Sequence, residues 1–147
     1  AVRAGFKHIQ FAAQTEEVAT AVDAYLKSLR PVPGPQLVAG KLSPAARRGR
    51  ELFNDGLVGC TLCHSGRDFT DLRSYDVGTA NAREPATTRF DTPTLVELWR
   101  TAPYLHDGSA ATLREVFGPR NAQDRHGHTS QLTSPQLDDL VAYLLSL

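Results

Sequence analysis

The 147-residue chain contains no methionine, only two cysteines and a single tryptophan. Without methionine, no thioether side chain is available as a ligand. Nowhere does an apolar run approach the ~18 residues that a membrane span needs. Lysine plus arginine and aspartate plus glutamate number 16 each, so the formal net charge is zero. A nucleic acid is therefore not an expected partner, and no like-charge run forms a tail. No β-hairpin signal is strong enough to predict a sheet. Arg3, Lys7 and His8 interrupt any secretory leader at the N-terminus.

Both cysteines fall in Cys60-Thr61-Leu62-Cys63-His64. This is the spacing of c-type haem attachment. Two thiols on one helical turn reach the two vinyl groups of one porphyrin, and the adjacent histidine turns toward the iron. A zinc site would need four ligands, and only three lie together. A thioredoxin-like redox pair would need an alternating β/α setting, which is absent around Cys60. One covalent haem c is the expected cofactor. Its attachment occurs outside the cytoplasm, so a periplasmic or otherwise extracytoplasmic location and a leader ahead of this chain are expected.

The expected fold is all-α, a cytochrome c-like helical domain with long loops around the haem. Residues 1–14 carry no clear pattern. Thr15 caps a helix whose apolar stripe is Val18, Val22, Leu26 and Leu29, with Glu16 and Glu17 in its first turn. Pro31-Val32-Pro33-Gly34-Pro35 reads as a stiff linker. The predicted division is an N-terminal segment over 1–35 and a monohaem domain over 36–147. Ser43-Pro44 opens a second helix with Ala45, Gly49, Leu52 and Phe53 on one face, ended by Asn54-Asp55-Gly56. Thr92-Pro93 predicts a helix through Leu95, Val96, Leu98 and Trp99. Thr112 and Glu115 have capping-box spacing. Ser134-Pro135 opens a last helix with Leu137, Leu140, Val141, Leu144 and Leu145 on one stripe. Val22–Leu29 and Leu140–Leu147 share Ala-Tyr-Leu-x-Ser-Leu, an internal echo that makes the first helix look like the end of a preceding domain.

His64 is the proximal ligand by its place in the motif. The distal ligand is the functional question. With no methionine, the His/Met pair is excluded. His126 is the first candidate, since it lies ahead of the last helix. His106 is the second and His128 the third; His8, a tyrosine or an open position remain. His106 could equally be a group hydrogen-bonded to Asp107. Outside the motif, Arg67, Tyr75, Trp99 and Tyr104 are candidate haem-binding side chains. An arginine from the set Arg67, Arg73, Arg83 and Arg89 suits a propionate through its planar guanidinium.

From about Val18 to the end the chain resembles the C-terminal half of the bacterial dihaem cytochrome c peroxidase and MauG-like family. The resemblance rests on Leu42–Phe53, on Cys60–Gly66, on Phe90-Asp91-Thr92-Pro93-Thr94-Leu95, on Ala102-Pro103-Tyr104-Leu105-His106-Asp107-Gly108-Ser109, and on Leu132–Leu144. It implies two haems in two domains, with electrons passing from the C-terminal haem to a peroxidatic one. This chain has one haem motif, and His126-Gly127 stands where the family has Met-Gly, which also points to His126. Family members imply an interdomain calcium, but no carboxylate-rich calcium loop of the EF-hand kind is present. The expected function is electron transfer to a redox partner protein or an upstream domain of the same polypeptide. The alternative is a peroxidase or MauG-like oxidase centre with an open or labile distal site.

Overall fold

The computed structural model describes residues 2–147. They form two compact units, divided between Pro31 and Val32. The division falls inside the proline-rich stretch. In the first unit, α1 (Val2–His8) precedes α2 (Glu16–Ser28). Thr15 caps α2 by accepting from Val18 N at 3.3 Å. Arg3 binds Glu16 and Asp23 at 2.5 and 2.7 Å. The predicted apolar stripe of α2 stays largely exposed; only Ala19 is buried.

The second unit is built on two helices, α3 (Pro44–Asn54) and α5 (Ser134–Leu144). The fold is all-α. A short α4 (Leu113–Phe117) and one antiparallel pair of two-residue strands, β1 (Ser74–Tyr75) and β2 (Phe90–Asp91), interrupt long loops. The core is Ala46, Phe53, Leu95, Leu113, Leu140, Tyr143 and Leu144. On α3 the buried face is Ala46, Gly49 and Phe53, rotated from the predicted Ala45 side because the helix touches α5 at Gly49. A Cβ at Gly49 would lie 1.9 Å from Asp139 O and 2.9 Å from Tyr143 Cβ. Beside that contact, Arg48 grips Asp139 with two hydrogen bonds of 2.7 and 2.6 Å. Phe53 meets the rings of Tyr143 and Phe69 edge-on, at 5.4 and 5.9 Å.

The start of α5 is a full capping box. Thr133 accepts from Gln136 N, and Gln136 Oε1 accepts from Thr133 N at 2.9 Å. Thr133→Ala is expected to lower unfolding stability by about 1 kcal/mol, read from denaturant curves of the haem-loaded domain. At α4 the box is incomplete. Thr112 accepts from Glu115 N, but the Glu115 carboxylate takes Ala111 N instead, at 2.8 Å.

The helix predicted from Thr92 does not form. Only a 3₁₀ turn at Leu98–Arg100 is present, and Glu97 before it has φ +61°. Long-range hydrogen bonds outcompete the helical ladder there. Thr94 Oγ1 donates to Asp68 O at 2.6 Å, Glu97 N donates to Leu147 O at 3.2 Å, and the Glu97 carboxylate accepts from Val32 N at 2.5 Å. Gly34 packs against the backbone of Leu145 and Ser146. The second half of the proline-rich stretch is thus fastened to the second unit.

Candidate haem site

Between α3, α4 and the long loops lies a cavity of about 550 Å³, well within the range of cofactor sites. Phe53, Leu95, Leu98, Leu113, Val116 and Leu144 give it an apolar wall. Cys60, Cys63, His64, Tyr75, Tyr104, His106 and His126 all line it. Arg67 and Trp99 do not. Arg67 is exposed on the loop after the motif. The Trp99 Nε1–H is buried without a partner, and Arg100 sits over the ring at 5.7 Å.

The motif forms a 3₁₀ turn at Cys60–Leu62, entered through Gly59 at φ +81°. His64 N donates to Cys60 O at 3.0 Å. The His64 Nδ1 lies 3.1 Å from Phe69 O. A carbonyl only accepts, so Nδ1 carries the proton and Nε2 keeps its lone pair. Ligating histidines are usually oriented this way. The two cysteines form no disulfide. Burial pushes the Cys60 thiol up to about 11, and burial and the Asp71 charge raise Cys63. Thiols so protonated are poor exchange partners, which counts against a redox pair. Among the described residues, no three His, Cys, Asp or Glu side chains converge as a ready-made metal cluster.

The rings of His64 and His126 have centroids 6.2 Å apart and planes 36° apart. A metal–nitrogen bond of about 2 Å on each side plus the depth of two rings also comes to about 6 Å. Burial and the nearby His64 charge depress His126 to about 4. Burial also lowers His64, against the pull of the Phe69 and Pro93 carbonyls. Both imidazoles are therefore neutral at neutral pH, the form that donates to a metal. The His126 Nδ1 is buried with no hydrogen-bond partner. The apolar cavity, the paired thiols and the two neutral imidazoles fit a covalent haem.

His106 is engaged elsewhere. Its Nε2 lies 3.0 Å from Glu84 Oε2, not against Asp107, and its ring stacks on Phe90 at 3.8 Å. His128 is exposed, and its backbone N–H binds Val58 O at 3.0 Å. Tyr75 donates to Asp71 Oδ2 at 2.6 Å, which raises the phenol and lowers the carboxyl. Arg125, which sequence reasoning passed over, lines the cavity while pairing with Asp76. Its position next to His126 was the available signal.

Residues 90–126 match the RoxA-like, cytochrome c-like family. The hydrazine synthase subunit gamma of Kuenenia stuttgartiensis is 32 % identical over 149 residues, covering 74 % of this chain and 42 % of that protein. The methylamine utilization protein MauG of Methylophilus methylotrophus is 31 % identical over 125 residues, covering 72 % and 37 %. The chain belongs to the MauG-like and cytochrome c peroxidase haem domains. A solved structure of the Kuenenia stuttgartiensis hydrazine synthase, pressurised with xenon, superposes with a TM-score of 0.79 at 28 % identity. It covers 99 % of this chain and 60 % of that one. This MauG-like chain thus spans roughly two-fifths of the curated relatives it matches. Covalent haem c is the cofactor of such domains. Among the described residues, no helix is long and apolar enough to cross a membrane.

Proposed function

We propose that this is an extracytoplasmic electron-transfer domain with one haem, which Cys60 and Cys63 would bind covalently and His64 and His126 would ligate. The carrying observation is the pair of neutral imidazoles, 6.2 Å apart in one apolar cavity. When bound, haem supplies one-electron exchange. The protein's part is to hold the iron with two nitrogens, to keep water out with Phe53, Leu98 and Leu113, and to offer a cation to the propionates. Arg125 suits that last task, because it faces the cavity and Arg67 does not. Two imidazoles set a lower potential than a His/Met pair would. The redox partner is a separate protein or an upstream domain. The exposed apolar stripe of α2 supports the reading that the first unit closes such a domain.

Two observations favour the peroxidase-like alternative. The His126 Nδ1 lacks the partner that normally orients a ligating ring, and the His106–Glu84 pair at the cavity wall is suited to acid/base work. The EPR spectrum of the oxidised, haem-loaded protein separates the two. Low-spin, nitrogen-ligated iron without peroxide turnover is the expected result. A high-spin signal with turnover would replace the electron-transfer reading by the enzymatic one.

A further inference from the structure

The loop that carries His126, residues 120–131, reads in the sequence as polar and mobile, with two histidines. The structure shows it tied from inside. Asn121 is 5 % exposed, and its carboxamide reaches across the loop. Its Oδ1 accepts from His126 N at 2.8 Å. Its Nδ2 donates to Gly127 O at 2.8 Å and to Thr129 Oγ1 at 2.9 Å, with His126 O at 3.2 Å. One end faces an N–H and the other faces carbonyls, so the network fixes which end is oxygen. Thr129, 2 % exposed, passes the tie on by donating to Phe117 O at 3.0 Å. Asp124 Oδ1 accepts from Thr129 N and Ser130 N at 3.1 and 3.0 Å. On the far side, His128 N binds Val58 O, two residues ahead of Cys60.

The imidazole itself has no such support. The His64 ring is oriented by Phe69 O, whereas the His126 Nδ1 finds no acceptor. What fixes the His126 ring is therefore its backbone.

We propose that Asn121 is a positioning residue for the distal ligand, and that its carboxamide clamp keeps the His126 imidazole seated opposite His64. This rests on the reading of His126 as ligand. The clamp holds the loop closed against exogenous ligands and favours electron exchange over small-molecule binding. Opening it requires a buried donor and acceptor to lose their partners together, which is costly.

The test is cyanide binding to the oxidised, haem-loaded protein, with EPR and thermal melts on the same samples. Asn121→Ala is expected to bind cyanide at least about tenfold faster and to show a high-spin fraction. Thr129→Val keeps the shape and removes the two hydrogen bonds of the hydroxyl but leaves the Asn121 bonds to His126 and Gly127, so its rate should fall between wild type and Asn121→Ala. Thr133→Ala, in the α5 cap, should lower the melting temperature without changing the cyanide rate, as a purely structural change would. Low-spin Asn121→Ala with a wild-type cyanide rate overturns the proposal, whatever its melting temperature. Should Asn121→Ala fail to retain haem, a wild-type rate in Thr129→Val overturns it equally. His126→Ala in parallel separates the two claims. If it stays low-spin, the ligand reading fails; if it turns high-spin while Asn121→Ala does not, only the clamp fails.

Discussion

The His126→Ala variant is expected to keep its haem and lose its low-spin state completely. Retention follows from the attachment, because Cys60, Cys63 and His64 are untouched and the apolar wall is intact. Loss of the low-spin state follows from the shortage of substitutes. No methionine exists in the chain. His106 holds Glu84 at 3.0 Å and lies stacked on Phe90, and His128 is exposed. His106→Ala and His128→Ala should therefore leave the spectrum unchanged. EPR and electronic spectra of the three oxidised variants check this directly. A low-spin His126→Ala, paired with a high-spin His106→Ala, would move the ligand to the Pro-Tyr-Leu-His segment. Added imidazole should restore the low-spin signal in His126→Ala, because the substitution leaves a space of that shape.

The second large effect is expected at Gly49. On an exposed helix, Gly→Ala stabilises by roughly 1 kcal/mol. At Gly49 the sign reverses. The added methyl would stand 1.9 Å from Asp139 O and 2.5 Å from Asp139 C, both backbone atoms that no rotamer change can move. The two helices would have to separate by more than an ångström. That disturbs the Ala46, Phe53 and Tyr143 packing and the Arg48–Asp139 pair together. Overpacking of this kind costs about 3 kcal/mol or more, so Gly49→Ala should melt well below wild type or fail to accumulate. Chemical denaturation of the haem-loaded protein measures it. A neutral or stabilising Gly49→Ala would contradict the close helix contact.

The parts legible in the sequence were those where a local rule decides. Cys60–His64 is set by the chemistry of attachment. α2, α3 and α5 announce themselves through Thr15, Ser43-Pro44 and Ser134-Pro135 together with their apolar periods. The all-α class follows from those elements. The segment after Thr92 was misread because its outcome depends on partners far away in the chain. Asp68 and Leu147 compete for its polar groups, and Glu97 adopts a backbone that ends any helix. No local pattern records that. The hydrogen bonds inside the 120–131 loop were not legible for a related reason. Asn121, Asp124 and Thr129 are residues that bond loops to themselves, but whether they point inward is decided by burial. Arg125 lies outside the stretch from Gly66 to Asp91 that holds the four expected arginines, and the fold is what brings it to the cavity wall.

The meeting of α3 and α5 has a consequence for how the molecule comes together. Arg48 and Asp139 are 91 residues apart in sequence. Most residues of the cavity lie between the helices, and the one α-helix there, α4, has five residues. Such a short helix does not persist alone in water. Closing a loop of this length costs roughly 4 kcal/mol of chain entropy. That entropy is lost before the contact between the two helices repays it. The contact between α3 and α5 therefore ties the intervening chain into one closed loop around the cavity.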